Sequence, residues 1–324
     1  MQAASFPLRD TEIGRTMGST NRATTGRVLV MVAVFMMAAG KVAYGTLLTA
    51  VPSQVYVLFC FGVMPLLFWP RYGRRVGTVA WRHVLMLNLS TALCFLFFFY
   101  ALKLIEPAVA GAVQFGVGPG LSILILFLVS GIIPGRARVI VCLGLLAGCS
   151  ILAVSAVQGS GFAVGTSGGW TGLVAILLSA MGSVLITFAS KALSDRGWPS
   201  GAILAHRCYL IVPIAVVLTV LDDKTWLVDW TPRLMLILAA VGLLGTVIPM
   251  VFLQMGIERS DPHTVLVMMA AMPIFTFALE GFSPLYVWSP LTAAGLCVIA
   301  LFIAFDAISA RRHTAVRLTS AKEV

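Results

Sequence analysis

Two stretches decide the fold: FFYALKLIEPAVAGAVQFGVGP, from Phe98 to Pro119, and FLQMGIERSDPHTVLVMMAAMP, from Phe252 to Pro273. Each is the end of one apolar helix, a short polar hinge with an acidic residue before proline (Glu106-Pro107, Asp261-Pro262), and a second apolar helix interrupted by proline. The copies differ by one residue between their two prolines. An interior proline removes a ladder hydrogen bond and clashes with the carbonyl four residues back. Both second helices are therefore expected to hinge, at Pro119 and Pro273. Apolar segments interrupted at corresponding places in two halves are the sequence mark of a secondary transporter, and they point to its substrate site.

The composition agrees. The chain has 324 residues, 60% hydrophobic and only 10% charged, with mean hydropathy +1.00. A soluble domain carries about 25% charged residues to cover its surface. Here the apolar residues come in unbroken runs of about twenty, which is bilayer length. The net charge of +10 does not point to nucleic acid, because the basic residues form no stripe and no aromatic-interleaved patch. The six cysteines all lie inside apolar runs. They form neither a disulfide framework nor a metal spacing, so no cofactor and no metal are expected.

Ten spans are predicted: 27–48, 53–70, 83–104, 107–130, 137–156, 169–192, 199–221, 233–256, 262–284 and 288–308. Only helices can cross lipid in such segments, because every backbone group must be satisfied internally. With the N-terminus in the cytoplasm, seventeen Lys and Arg fall on inside segments and three (Lys103, Lys224, Arg233) outside. This asymmetry places both termini in the cytoplasm and requires an even number of spans. Five spans per half then make the second half enter from the opposite side. The fold class is all-α integral membrane, ten helices as two inverted five-helix repeats. The expected division is a polar, disordered tail 1–26, a first repeat 27–156, a linker 157–168, a second repeat 169–308 and a C-terminal tail 309–324. The N-terminal tail has no early apolar core, so the first span reads as an uncleaved anchor.

The order of features across these spans resembles the drug/metabolite transporter superfamily, in its ten-helix EamA-type members. The similarity runs over 27–308. It is carried by Ala101-Leu102 with the later Pro119, by the matching stretch ending at Pro273, and by Glu280-Gly281 closing span 9 in the reverse of the family's Gly-Glu order. Glycine-rich GLLAGCSILA from Gly144, its partner around Gly295, and Arg207 in span 7 add to it. The chain departs at Ser130-Gly131, where the first half would carry Gly-Glu, at Phe59-Cys60 and at Ala39-Gly40-Lys41. The resemblance implies a multi-pass transporter in a bacterial inner membrane, acting on small metabolites.

Ionisable groups at membrane depth are functional by default. Lys41 lies about fourteen residues into its helix, roughly 20 Å deep, and shares a face with Tyr44. It reads as a cavity cation that meets a carboxylate-bearing solute. Gln114 sits among glycines before Pro119, where the helix has little bulk. Asn88 and Thr91 share a face of span 3, with Phe95 and Phe98 as an apolar wall or as core. His206 and Arg207 lie early in span 7, and Tyr100 and Gln254 occupy matching places before the two hinges. Span 6 carries a polar stripe, Ser179, Ser183, Thr187 and Lys191. Glu106, Asp261, His263 and Glu280 sit at helix ends and read as caps or interfacial charges, which argues against a proton relay on a buried carboxylate.

The expected function is a secondary transporter, an exporter, of small metabolites such as amino acids or related carboxylates. Other solute classes (drugs, nucleotide-related compounds, sugars, siderophores) remain as alternatives, and a non-transporting scaffold or receptor as the alternative of another class. An enzyme is not expected, because no catalytic constellation shares one depth. The partners are a small-molecule substrate and membrane lipid, with the protein a monomer or homodimer.

Overall fold

The structure is a computed structural model, which describes residues 8–74, 81–131, 135–158, 168–283, 285 and 288–320. The expected linker 157–168 falls outside these residues except at its ends. Every regular element among them is helical. In chain order they are α1 (Leu8–Leu47, apolar from Ala23), α2 (Ser53–Tyr72), α3 (Trp81–Ala101), α4 (Pro107–Leu128), α5 (Arg136–Ser155), α6 (Gly169–Ser194), α7 (Ser200–Leu221), α8 (Pro232–Arg259), α9 (Pro262–Glu280) and α10 (Pro290–Ser320). Nine of the described helices are long and apolar enough to cross a membrane, and α10 adds a shorter apolar stretch, Pro290–Asp306. Apolar side chains such as Leu66, Leu128, Leu143 and Leu236 face outward, as lipid contact requires.

The packing has two-fold logic. Helix α1 lies along α8, and its counterpart α6 lies along α3. Likewise α1 meets α9, and α6 meets α4. The remaining pairs, α2 with α7, α4 with α9 and α5 with α10, join each helix to its own counterpart. This is the pattern of two equivalent five-helix units about an axis, and an odd number of spans per unit inverts one relative to the other.

Helix breaks fall where prolines dictate. Helix α4 divides into Pro107–Gly116 and Gly118–Ser130, and α9 into Pro262–Met269 and Met272–Glu280. These are the breaks expected at Pro119 and Pro273. Two further interruptions were not anticipated. Helix α7 opens between His206 and Ile211, where the ring of Pro213 excludes a helical carbonyl at Tyr209. Helix α8 widens into a π-turn, Leu243–Val247, just before Pro249.

The tightest crossings use glycine. A Cβ on Gly40 of α1 would lie 2.6 Å from the Gly245 oxygen in the π-turn of α8. On the equivalent crossing, a Cβ on Gly182 of α6 would lie 2.6 Å from the Cys94 nitrogen of α3. Such close approach lets backbones pack without a strong hydrophobic drive between helices.

Candidate solute-binding cavity

The two glycine crossings flank a cavity of ≈ 50 Å³ at the centre of the molecule. It has room for a few waters or a small solute. Four of the candidate substrate-binding residues line it: Lys41, Gln114, Arg207 and Gln254. They come from α1, α4, α7 and α8, so both halves contribute. Ser183 and Thr187, from the polar stripe of α6, complete the polar wall together with Thr246. Phe95, Phe98, Phe99, Phe115 and Tyr56 form the apolar wall.

Lys41 enters from α1 and is only 7% exposed. Its Nζ donates to Met272 Sδ at 2.8 Å, and a thioether is a weak acceptor. The same ammonium stands over the rings of Phe98, at 4.2 Å, and Phe115, at 4.6 Å. Ring faces attract a cation, but they leave its charge without a counter-ion. Arg207 occupies the break in α7, 3% exposed, with its guanidinium 5.9 Å from the Phe95 ring and its Nε without a partner. Among the described residues no carboxylate pairs with either cation.

The amides are similarly half-engaged. Gln114 Nε2 donates to Ser179 Oγ at 2.7 Å, and Ser179 donates to the Cys94 carbonyl at 2.7 Å. That chain fixes Gln114 and leaves its Oε1 unpartnered. Gln254 is buried with both side-chain polar atoms unpartnered. Buried polar groups are nearly always satisfied in folded proteins, and exceptions call for an explanation. Here four such atoms, Gln114 Oε1, Arg207 Nε and both polar atoms of Gln254, belong to side chains that line one cavity, as they would for a solute that supplies the missing partners.

The other sequence-singled residues are placed elsewhere. Tyr44 shares the Lys41 helix but packs against Tyr56 and Phe99, at 4.5 and 5.3 Å between rings, under Lys103. Asn88 does not line the cavity. Its Nδ2 donates to the His206 carbonyl at 2.8 Å, and its Oδ1 accepts from the Tyr209 nitrogen at 2.8 Å. It therefore satisfies the backbone groups that the α7 break releases, and so holds Arg207 in place. Thr91 donates to the Leu87 carbonyl of its own helix at 2.6 Å. His206 points away from the cavity, between Trp69 and Trp198, with Nε2 3.0 Å from the Gly73 carbonyl. Tyr100 is half-exposed on the outer surface of α3. Lys191 pairs with Asp195 at 3.1 Å beyond the end of the polar stripe.

The EamA-like transporter family matches residues 170–308. This half of the chain is an EamA-like transporter domain. The domain belongs to the drug/metabolite transporter superfamily, whose members move small solutes across membranes. It supplies Ser183, Thr187, Arg207, Thr246 and Gln254 to the cavity, and the preceding half supplies Lys41 and Gln114. No curated protein matches the chain. Among 17 matching chains of solved structures, one titled "Crystal structure of protein" covers 89% of this chain and 99% of its own, with a TM-score of 0.67 at 20% identity. That likeness concerns the fold alone, and it extends well beyond the EamA-like domain into the first half.

The sequence reading missed one constellation. Glu106 precedes α4 and Glu280 ends α9, and both were expected as caps or interfacial charges. Glu280 does cap a helix, but a distant one: its Oε1 accepts from the Ala108 nitrogen of α4 at 2.8 Å. Both carboxyls are 2% exposed, so neither is interfacial.

Proposed function

We propose that this protein is a secondary transporter, not an enzyme, for small carboxylate-bearing metabolites, amino acids or related carboxylates. It would work by alternating access of two inverted halves, taken as 27–156 and 169–308. The observation that carries the reading is that Lys41 and Arg207 share one cavity with no carboxylate beside either among the described residues. Two desolvated cations in an apolar shell favour a solute that brings negative charge. The phenylalanines suit an apolar or aromatic body, and Gln114 and Gln254 offer both donors and acceptors.

The same observation ranks substrates. A zwitterionic amino acid needs an acceptor for its ammonium, and the cavity offers only amide and hydroxyl oxygens. Carboxylates without an amine are therefore favoured over amino acids. An inverted pair closes either way about a central site, so the cavity can open to either side of the membrane in turn. The excess of Arg on one set of links supports cytoplasmic termini, and the resemblance to EamA-type proteins supports a bacterial inner membrane.

Counterflow in proteoliposomes tests the reading. Vesicles loaded with an unlabelled aromatic carboxylate should accumulate its labelled form, saturably and only with protein present. At solute concentrations below the wild-type KM, Lys41→Met and Arg207→Gln should each suppress this at least tenfold without lowering the yield of folded protein. Accumulation that survives both substitutions would overturn the assignment of the cavity.

A further inference from the structure

The Glu106 and Glu280 carboxyls lie within hydrogen-bonding reach of one another. They join the first half of α4 to the second half of α9, the two half-helices that pack across the pseudo-two-fold axis. The surroundings supply few donors. Ala108 nitrogen serves Glu280 Oε1 at 2.8 Å, and Thr292 Oγ1 reaches Glu106 Oε2 at 3.3 Å. Thr292 is in turn held by Ser155 of α5 at 2.8 Å. Glu280 Oε2 is buried and has no donor among the described residues. Two acceptor-only oxygens facing one another in an apolar site lack one hydrogen, and a proton is the ligand that supplies it.

Among the described residues the neighbouring elements bring no compensating charge. Lys103, in the link before Glu106, donates to the carbonyls of Leu48 and Val51 and lies over Tyr44. Lys41 of α1 is engaged with Met272, two turns deeper than Glu280. Cys149 of α5 donates to the Ala112 carbonyl at 3.3 Å. Neither carboxyl has a cationic partner among the described residues, and no group of three or more ligating side chains there would hold a metal ion.

We propose that Glu106 and Glu280 form a proton-binding site that couples proton movement to the transport cycle by gating the outer end of the cavity. The proposal rests on the transporter reading but not on the substrate class. With one proton shared, the carboxyls hold α4 and α9 together and that end is closed. Loss of the proton to the outer solution leaves two carboxylates that cannot both stay desolvated. The half-helices then part until water reaches the pair. Met272 begins the α9 half-helix that ends at Glu280, so this movement also shifts the acceptor of Lys41. Burial holds the Glu106 carboxyl up at about 7, well above the usual carboxylate range.

The test needs no solute. Infrared difference spectra of the lipid-reconstituted protein, taken between about pH 5 and pH 9 to bracket a raised carboxyl, should show a carboxylic-acid carbonyl that titrates near neutrality. Glu106→Gln and Glu280→Gln should each remove it. The amide oxygen introduced by Glu280→Gln can still accept from the Ala108 nitrogen, so this variant keeps the cap and its folding can be checked by melting. Hydrogen exchange at about pH 8.5 should protect the amides of 108–112 at least tenfold more in the double Gln variant than in wild type. A band that persists in both single variants, exchange equal in the two proteins, or a spectrum that responds to sodium ions and not to pH would each overturn the proposal. Failure of every carboxylate in counterflow, with this titration intact, would overturn the substrate class alone.

Discussion

Replacing Gly182 by alanine tests the inter-helix crossing and the cavity together. The new Cβ would stand 2.6 Å from Cys94 N, 2.8 Å from Cys94 Cα and 2.8 Å from the Ser90 oxygen. All three are backbone atoms and cannot rotate away. Carbon contacts settle at about 3.5–4.0 Å, so α3 and α6 must separate by roughly 0.7–1.4 Å at this point. One turn earlier on α6, Ser179 donates to the Cys94 carbonyl at 2.7 Å and holds Gln114. Opening by about 1 Å takes that bond beyond hydrogen-bonding distance and frees Gln114. Overpacking costs about 1–3 kcal/mol, and alanine returns close to 1 kcal/mol of helix propensity. The expected net loss is about 0–2 kcal/mol, or a melting point lowered by up to roughly 8 °C. This leaves the variant about 1–3 kcal/mol below an alanine substitution at an unobstructed glycine. Gly62 of α2 is the control, since a Cβ there meets nothing within 4 Å, and Gly62→Ala should melt at or slightly above wild type. Thermal unfolding of the purified protein in detergent reads both. If Gly182→Ala melts with Gly62→Ala, the close crossing is not a feature of the folded protein, and the account of how Gln114 is held fails with it.

Asn88→Leu leaves the His206 carbonyl and the Tyr209 amide without their partner, at a cost of about 1–3 kcal/mol, and it should weaken carboxylate binding through displacement of Arg207. Asn88→Asp keeps the acceptor for Tyr209 and should recover part of the stability, which melting and binding curves can separate. A Glu106 carboxyl raised to about 7 takes up protons on folding between its ordinary value of 4.5 and 7. The folded state then binds more protons than the unfolded one, so stability falls as pH rises through this window. Melting points should drop between about pH 5 and pH 8, and Glu106→Gln should flatten the profile. Arg207→Gln and Lys41→Met should each raise the carboxylate KM by at least thirtyfold, the scale of about 2–5 kcal/mol for one partner of a buried charge pair, as measured by initial rates of uptake.

The spans and the proline breaks of α4 and α9 were legible because they depend on local chemistry: runs of apolar residues and missing backbone donors. Lys41, Gln114 and Arg207 were legible for the same reason, since charge or amide at membrane depth stands out without knowledge of any neighbour. Asn88 was read as a cavity residue because the face it shares with Phe95 and Phe98 is visible in the sequence. The break it staples is visible only through Pro213, four residues beyond Tyr209. The carboxyl pair was hidden for a different reason. Glu106 and Glu280 each look like a helix-end charge, and only the packing of α4 on α9 brings together residues far apart in the chain. Thr246 was hidden in the same way, since its exposure to the cavity depends on the π-turn that Pro249 imposes.

The most direct measurement compares an aromatic carboxylate with its uncharged amide, matched in shape, in protein-dependent proteoliposome uptake. The account predicts that the carboxylate is carried and the amide is not, and that Arg207→Gln removes the difference by abolishing carboxylate uptake. Equal uptake of the two by the wild-type protein would contradict the claim that Lys41 and Arg207 select an anion.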